Sequence, residues 1–292
     1  MAVRTNQVVQ STLSGLALRE IDFVSRFSKD MKELLDVLGI SRPIYKETGS
    51  QLYKKSVATT LANQPTEGDL IDLSQQAFTE SAAATITIKK YAKSLTLEVL
   101  AKNGEVWADK SDDSFLHAIE NVIVGDFFTY LATGSGAPSG TPANFQDALA
   151  QAAGVVEDFN ITNNLGGLGK VAFVNVNDAY AYLGSQTISL QMAFGMNYIK
   201  NFLGYDAVFF CSSSHISTGT VIAVDKANLS LYAVNPASSL FVREGLDYTI
   251  DEYGLIGVHK NGNYGRAASD TYAIMGIQLF AEYQAGVVVA TF

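Results

Sequence analysis

The chain is poor in the residues that usually announce chemistry. It has one cysteine, one tryptophan, three histidines and five prolines among 292 residues. A single cysteine excludes an internal disulfide, so no oxidising compartment is needed to staple the fold. Cys211 sits in the apolar run 207–211 and reads as a small buried hydrophobe. The histidines, His117, His215 and His259, lie too far apart for any metal-ligand spacing. No apolar stretch reaches the ~20 residues that span a bilayer. Residues 1–18 place Arg4, Asn6, Gln7 and Gln10 where a secretory signal needs an unbroken apolar core. The expectation is a chain made and kept in a cytoplasm-like compartment, with no membrane partner.

Catalytic signatures are also scarce. Gly166-Gly167-Leu168-Gly169-Lys170 has the outline of a phosphate loop, but a Walker motif needs a glycine five residues before its Gly-Lys pair and Ser or Thr after the lysine. Asn164 and Val171 occupy those places, and the segment reads as a turn feeding a strand. There is no G-x-S-x-G elbow, and Ser212-Ser213-Ser214-His215 reads as a polar turn. Asp109, Asp112 and Asp113 lack the calcium-loop pattern. The sequence therefore leads us to expect no catalytic, cofactor or metal site. The acid pairs Glu157-Asp158 and Asp251-Glu252 keep a small-molecule enzyme of α+β class as a rival reading.

Charge is unevenly spread. The net charge is −9, yet residues 1–55 hold nine basic and six acidic side chains while the remainder holds eleven and twenty-three. An acidic body does not grip phosphate, which needs a concentrated basic surface. The basic arm could touch an acidic partner or another subunit, or simply be a solvated helix.

Residues 1–13 are polar and small and read as a tail that is mobile or ordered only by a neighbour. From Glu20 to Leu38, Val24, Phe27, Met31, Leu34, Leu35 and Leu38 recur at three- and four-residue steps, one helical face, with Gly39 as its stop and Pro43 preventing resumption. A long β-hairpin is predicted next. Gln51–Leu61 forms one strand, residues 63–68 break it, and Leu70, Ile71 and Leu73 begin a return that becomes plain over Thr85–Leu100. A two-stranded ribbon has too little core to be stable alone in water, so a further copy of the chain is the candidate support. Lys89, Lys90 and Lys93 cluster on the returning strand, either to discourage stray strand pairing or to contact a neighbouring subunit. Ser111-Asp112-Asp113-Ser114 offers N-caps for a helix whose stripe is Phe115, Ile119, Val122, Ile123, Phe127 and Leu131. Residues 134–142, GSGAPSGTP, read as a linker between two lobes.

Beyond it the spacing predicts helices over Asn144–Val156, from Ala179 and over 189–203. Strands are predicted at Lys170–Val176, Ala207–Cys211, Thr220–Val224, Leu229–Val234, Leu255–Lys260, Thr271–Tyr283 and Val287–Phe292. The fold class is α+β with strands in more than one sheet, and there is no internal repeat.

The order of these pieces resembles the major capsid proteins of tailed bacteriophages, the HK97-like fold. The acidic-glycine stretch 67–74 resembles a turn in that family's extended loop, and Thr85–Lys93 with Leu95–Glu98 its returning strand. Ser111 to Leu131 resembles the spine helix of the peripheral domain, Val171–Leu183 the strand-helix step of the axial domain, and Gly276–Phe292 the closing strands. The resemblance covers nearly the whole chain, and its specificity lies in the order of loose motifs.

The resemblance implies an N-terminal arm and helix over 1–43, an extended hairpin loop over 44–104, a peripheral domain from 105–139 and 246–292, and an axial domain over 140–245. It implies a virion shell subunit, assembled in the host bacterial cytoplasm as hexamers and pentamers around double-stranded DNA, with a portal protein at one vertex. Because only about forty residues precede the hairpin, a separate scaffolding protein is expected. Arg19, Arg26 and Lys32 in the arm, with Lys89, Lys90 and Lys93 in the hairpin, are the candidate intersubunit contacts. Some relatives crosslink a loop lysine to a neighbour; Lys54 and Lys55 join the hairpin lysines as donors by location only, and no crosslink is expected. The rivals are an encapsulin-like nanocompartment, separable by its protein cargo, and a tail-tube subunit, disfavoured by the two amphipathic helices.

Overall fold

The computed structural model describes residues 15–292 except 65, 68–69, 164, 166, 185–189, 237–242 and 244. The polar tail 1–13, and Gly68 and Asp69 of the acidic-glycine turn, lie outside the described residues. The chain runs α1 (Gly15–Leu38), β1 (Ile44–Tyr45), β2 (Gln51–Thr60), β3 (Gln75–Thr85), β4 (Lys89–Thr96), α2 (Leu97–Asn103), α3 (Glu105–Leu131) and α4 (Phe145–Thr162). It continues through β5 (Lys170–Asn175), α5 (Val176–Leu183), β6 (Gln191–Ala193), β7 (Met196–Phe202), β8 (Tyr205–Cys211), β9 (Thr220–Asp225) and β10 (Leu229–Ala233). It closes with β11 (Thr249–Ile250), β12 (Ile256–Asn263), β13 (Ala268–Met275), β14 (Ile277–Ala281) and β15 (Val287–Thr291). Two compact units result, one from residues up to 30, 88–121 and 234–276, the other from 31–87, 122–233 and 277–292.

The larger unit is built on a six-stranded sheet in the order β15-β9-β5-β8-β7-β6, in which only β5 and β8 run parallel. Its central strands are apolar on both faces because both are covered. Ala172 and Val174 join the α4 residues Ala148, Leu149, Ala152 and Val156 in one buried cluster. Phe173, between them, turns the other way and meets Phe127 and Phe128 of α3 edge-on at 5.4 and 5.2 Å, stacking on Phe209 at 5.3 Å. α4 starts where Asn144 accepts from the Asp147 amide while Asp147 accepts from Ala143, a reciprocal cap. A three-stranded sheet, β1-β10-β14, and the β2–β3 hairpin complete this unit.

The smaller unit carries an antiparallel sheet in the order β11-β12-β13-β4. All six apolar positions expected on α1 are buried, at 4 % exposure or less.

Five sequence expectations change. Residues 189–203 were predicted helical; those described are the hairpin β6–β7, because Phe194-Gly195 turns the chain with φ of 49° and 74°. A second such turn, Leu203-Gly204, leads into β8. Thr85–Leu100 is not one strand. β3 pairs β2 and ends at Thr85, where Ile86 is pinned by bonds to Gly49 and Ser50; β4 then pairs β13, and α2 follows. α3 begins six residues before Ser111, so Asp112 and Asp113 sit within a helix and not at its cap. Thr271–Tyr283 splits at Gly276 into β13 and β14, which serve different sheets.

The fifth change is that GSGAPSGTP separates no lobes, since both its flanks lie in the larger unit. Its first residues are zipped to the chain near β15: Ser135 N–H donates to Gln284, Gly136 N–H to Val287, and Val289 N–H to Gly136. A Cβ at Gly134 would fall 2.6 Å from the Val287 carbonyl oxygen, and one at Gly136 2.8 Å from that of Ala285. Those glycines are there for close backbone approach.

Candidate assembly surfaces

Three of the six candidate cations converge on α3. Asp112, 3 % exposed, receives Arg19 of α1 at 2.5 Å, Lys93 of β4 at 2.5 Å and Lys260 of β12 at 2.6 Å. Arg26, one helical face along from Arg19, pairs with Asp113 and with Asp22. Burial by itself would push the Asp112 carboxyl up; the hydrogen bonds and charges of Lys260 and Lys93 outweigh it and hold the group below its usual range. For Lys93 and Lys260 burial is the larger influence, helped by the positive charge of Arg19, and both are pulled down despite their carboxylate partner. Lys93 also donates to Ser111 and lies 5.6 Å from the centre of the Phe115 ring. A helix-interior aspartate has poor propensity, and here tertiary charge pairing overrides it.

The other candidates lie elsewhere. Lys90 is exposed and Lys89 half-buried on β4, which belongs to the four-stranded sheet and not to the hairpin. Lys32 is exposed on α1. Sequence reasoning missed Lys260, whose side chain is 1 % exposed, and Glu20, 7 % exposed. Glu20 accepts from the Lys260 backbone amide and from Thr249 Oγ1 at 2.7 Å. The signal for Lys260 was a lysine in a strand that opens with the apolar and small residues Ile256, Gly257 and Val258.

The hairpin presents the opposite character. Its stem is held by Lys55, whose backbone N–H donates to the Glu282 carbonyl at 2.9 Å and whose ammonium meets that carboxylate at 2.6 Å. The Glu282 hydrogen bond raises the Lys55 pKa against partial burial. Beyond the stem, Leu70, Ile71 and Leu73 are 92 %, 81 % and 92 % exposed. In the smaller unit an apolar groove of about 380 Å³ is lined by Leu95, Leu97, Leu100, Tyr264, Ala267 and Ala268. Its wall, α2, buries none of its residues, and Tyr264 is 99 % exposed. Ala267 holds φ of 46°, a conformation that L side chains rarely adopt, while its carbonyl accepts from Leu97 N–H at 2.8 Å.

Among the described residues no group of three or more His, Cys, Asp or Glu side chains could hold a metal ion, and no helix is long and apolar enough to cross a membrane.

No family model matches the sequence, and no curated protein does. Solved structures do. One from Mycobacterium phage Adephagia is similar with a TM-score of 0.51 at 13 % identity, covering 87 % of this chain and 89 % of that chain. One from Mycobacterium phage Patience gives 0.50 at 10 % identity, covering 94 % and 86 %. The capsid of an empty GTA particle gives 0.49 at 10 % identity, covering 100 % and 95 %. At such identities the likeness is one of fold, and the first two carry it. The chain has the HK97-like fold of tailed-phage major capsid proteins, as the order of its sequence motifs led us to expect.

Proposed function

We propose that this chain is the major shell subunit of a tailed-phage head, with copies associating as hexamers and pentamers around double-stranded DNA. Its role is structural and not catalytic. The observation that carries the reading, beyond the fold, is the hairpin's load of unburied Leu70, Ile71 and Leu73. Removing each such side chain from water is worth about 1.5–3 kcal/mol, and a second copy supplies the place to do it. The groove beside α2 fits as the receiver: its lining is uncharged, the exposed cations Lys102 and Arg266 lie within two residues in sequence of its lining residues Leu100 and Ala267, and the hairpin run is flanked by the exposed acids Glu67 and Asp72. Charge complementarity of that kind sets register and encounter rate more than affinity.

Within this reading Lys32 and Lys90 remain intersubunit contacts, with Lys89 beside them, whereas Arg19, Arg26 and Lys93 act inside the subunit. The arm, a separate scaffolding protein and a portal complete the assembly, and the host bacterial cytoplasm is where it takes place. Closed shells, each contact wide and modest, gain their stability from symmetric closure.

The test is electron microscopy of the purified chain beside a variant carrying Leu70→Ser, Ile71→Ser and Leu73→Ser. Wild-type shells or capsomers, lost in a variant that still melts cooperatively, are the expected result. Unchanged assembly by the variant, or a wild type that stays monomeric alone and with its scaffold, overturns the reading. Particles filled with protein cargo and no nucleic acid would move it to the nanocompartment class.

A further inference from the structure

A cavity of about 260 Å³ lies at the root of the β2–β3 hairpin, inside the larger unit. The ribbon supplies one wall. Lys54 and Ser81 stand opposite each other across β2 and β3, and Thr79, two residues from Ser81, shares their face. The body supplies the other wall: Ser135 after α3, Phe159 and Asn163 at the end of α4, and residues 283–285 ahead of β15. The rings of Phe159 and Tyr283 lie with their centres 6.2 Å apart.

The lining holds two lysines and no acid. Lys55 is already neutralised, its ammonium 2.6 Å from Glu282, whose other carboxylate oxygen accepts from the Tyr232 hydroxyl at 2.9 Å. Lys54 is half-buried and has no carboxylate partner among the described residues. Glu80 stands opposite Lys55, so it belongs to the other face of the ribbon. The hydroxyls of Thr79, Ser81 and Ser135 make no hydrogen bond to another protein group among the described residues. Two other polar cavities set acids beside their lysines, Glu33, Asp36 and Asp206 in one and Glu157 and Asp225 in the other.

We propose that the cavity at the hairpin root is a binding site for a small carboxylate with an apolar stem. The carboxylate meets the Lys54 ammonium and the three hydroxyls, and the stem lies against the Phe159 and Tyr283 rings. A half-buried ammonium without a counter-charge has lost part of its hydration with no compensation, and a carboxylate restores the balance through charge-assisted hydrogen bonds. A volume below the roughly 300–1,000 Å³ of pockets for drug-sized ligands limits the guest to a group of a few carbons. That size fits a free short-chain acid, and it fits equally a glutamate side chain presented by another protein. Because the two walls come from the ribbon and the body, the guest braces the hairpin against the unit that carries it.

The site belongs to the single chain and stands whether or not copies assemble. The test is amide hydrogen exchange on the full chain near neutral pH, with butyrate as the probe and chloride holding the ionic strength constant. Butyrate at twice its Kd should slow exchange at the hairpin root, residues 52–55 and 79–84, by about threefold and saturably, while amides of β5 keep their rate. Butyramide, the same shape without the charge, should do nothing. Lys54→Gln should abolish the butyrate effect, and Ser81→Asp, which sets an acid in the cavity, should abolish it by a second route. Lys29→Gln on α1 should leave it intact. N-acetylglutamate α-amide separates the two sources: protection equal to that of butyrate supports a site that takes a protein-borne glutamate, and protection by butyrate alone supports one for a free acid. No saturable protection by either carboxylate, an equal effect of butyramide, or an effect that persists in Lys54→Gln overturns the proposal.

Discussion

Asp112 and Glu120 stand about two turns apart on one helix, both buried and both acidic, and their surroundings treat them in opposite ways. Around Asp112 three cations from three different elements outweigh the cost of burial, and the carboxylate stays ionised below its usual range. Around Glu120 the facing group is another acid, burial wins, and the proton stays on to about neutrality. Burial alone does not decide whether a buried acid is charged. What decides is the sign of the groups that arrive from distant parts of the chain. The first site is a fixed anchor and the second a variable one.

Removing the anchor should have the largest effect. Asp112→Ala leaves Arg19, Lys93 and Lys260 facing one another without a counter-charge, and breaking a buried pair in this way costs about 3–5 kcal/mol; urea unfolding near neutral pH measures it. Lys260→Met sharpens the comparison, because two cations remain for one carboxylate and the excess positive charge is relieved. Its cost should stay near about 1–2 kcal/mol, and a cost equal to that of Asp112→Ala would mean that Lys260 alone makes the anchor. Acid separates the sites further. The stability Asp112 contributes is fully present above its ordinary value of 3.8 and is lost as pH falls through its lowered one. Glu120 does the reverse and gives up its contribution between 4.5 and about 7 as pH rises. Thermal melts across both windows should therefore fall away at both ends, and Asp112→Ala should flatten only the acid end. Glu120→Gln should be about 1 kcal/mol more stable than wild type above neutral pH and indistinguishable from it near pH 5. The smallest effect belongs to the hairpin stem, where the part-exposed Lys55–Glu282 pair should cost at most about 1 kcal/mol on Lys55→Ala, since solvent screens it.

Much of the scaffold was legible in periodicity. The stripe of α1 and the apolar runs that became β5, β8 and β9 are local patterns, and local patterns survive into the fold. The order of these pieces was enough to indicate the capsid fold. What could not be read was anything decided at long range. β4 carries the alternation of a hairpin return strand, yet its partner is β13, whose residues lie some 180 positions later. Asp112 reads as an N-cap because the Ser-Asp-Asp-Ser signal is local, whereas its partners Arg19 and Lys260 are 93 and 148 residues away. Arg19, Arg26 and Lys93 read as surface cations; only the Arg26–Asp22 pair, four residues apart on α1, is local, and nothing near them in sequence reveals Asp112 and Asp113. The helix expected over 189–203 failed for a local reason: turns with φ of 49° at Phe194 and 50° at Leu203 were not signalled by Asn or Asp ahead of the glycine.

The Asp112 anchor also keeps time. Arg19, Lys93 and Asp112 are all made well before Lys260, which follows Asp112 by 148 residues. At about 5–20 residues per second that interval is roughly 7–30 s. Throughout it the nascent chain has the acid and two of its cations but not the lysine that brings β12 to them, nor the strands β12 and β13 that join β4 in its sheet. The smaller unit therefore cannot close before β12 and β13 are made: its first pieces wait for the last strands of their sheet.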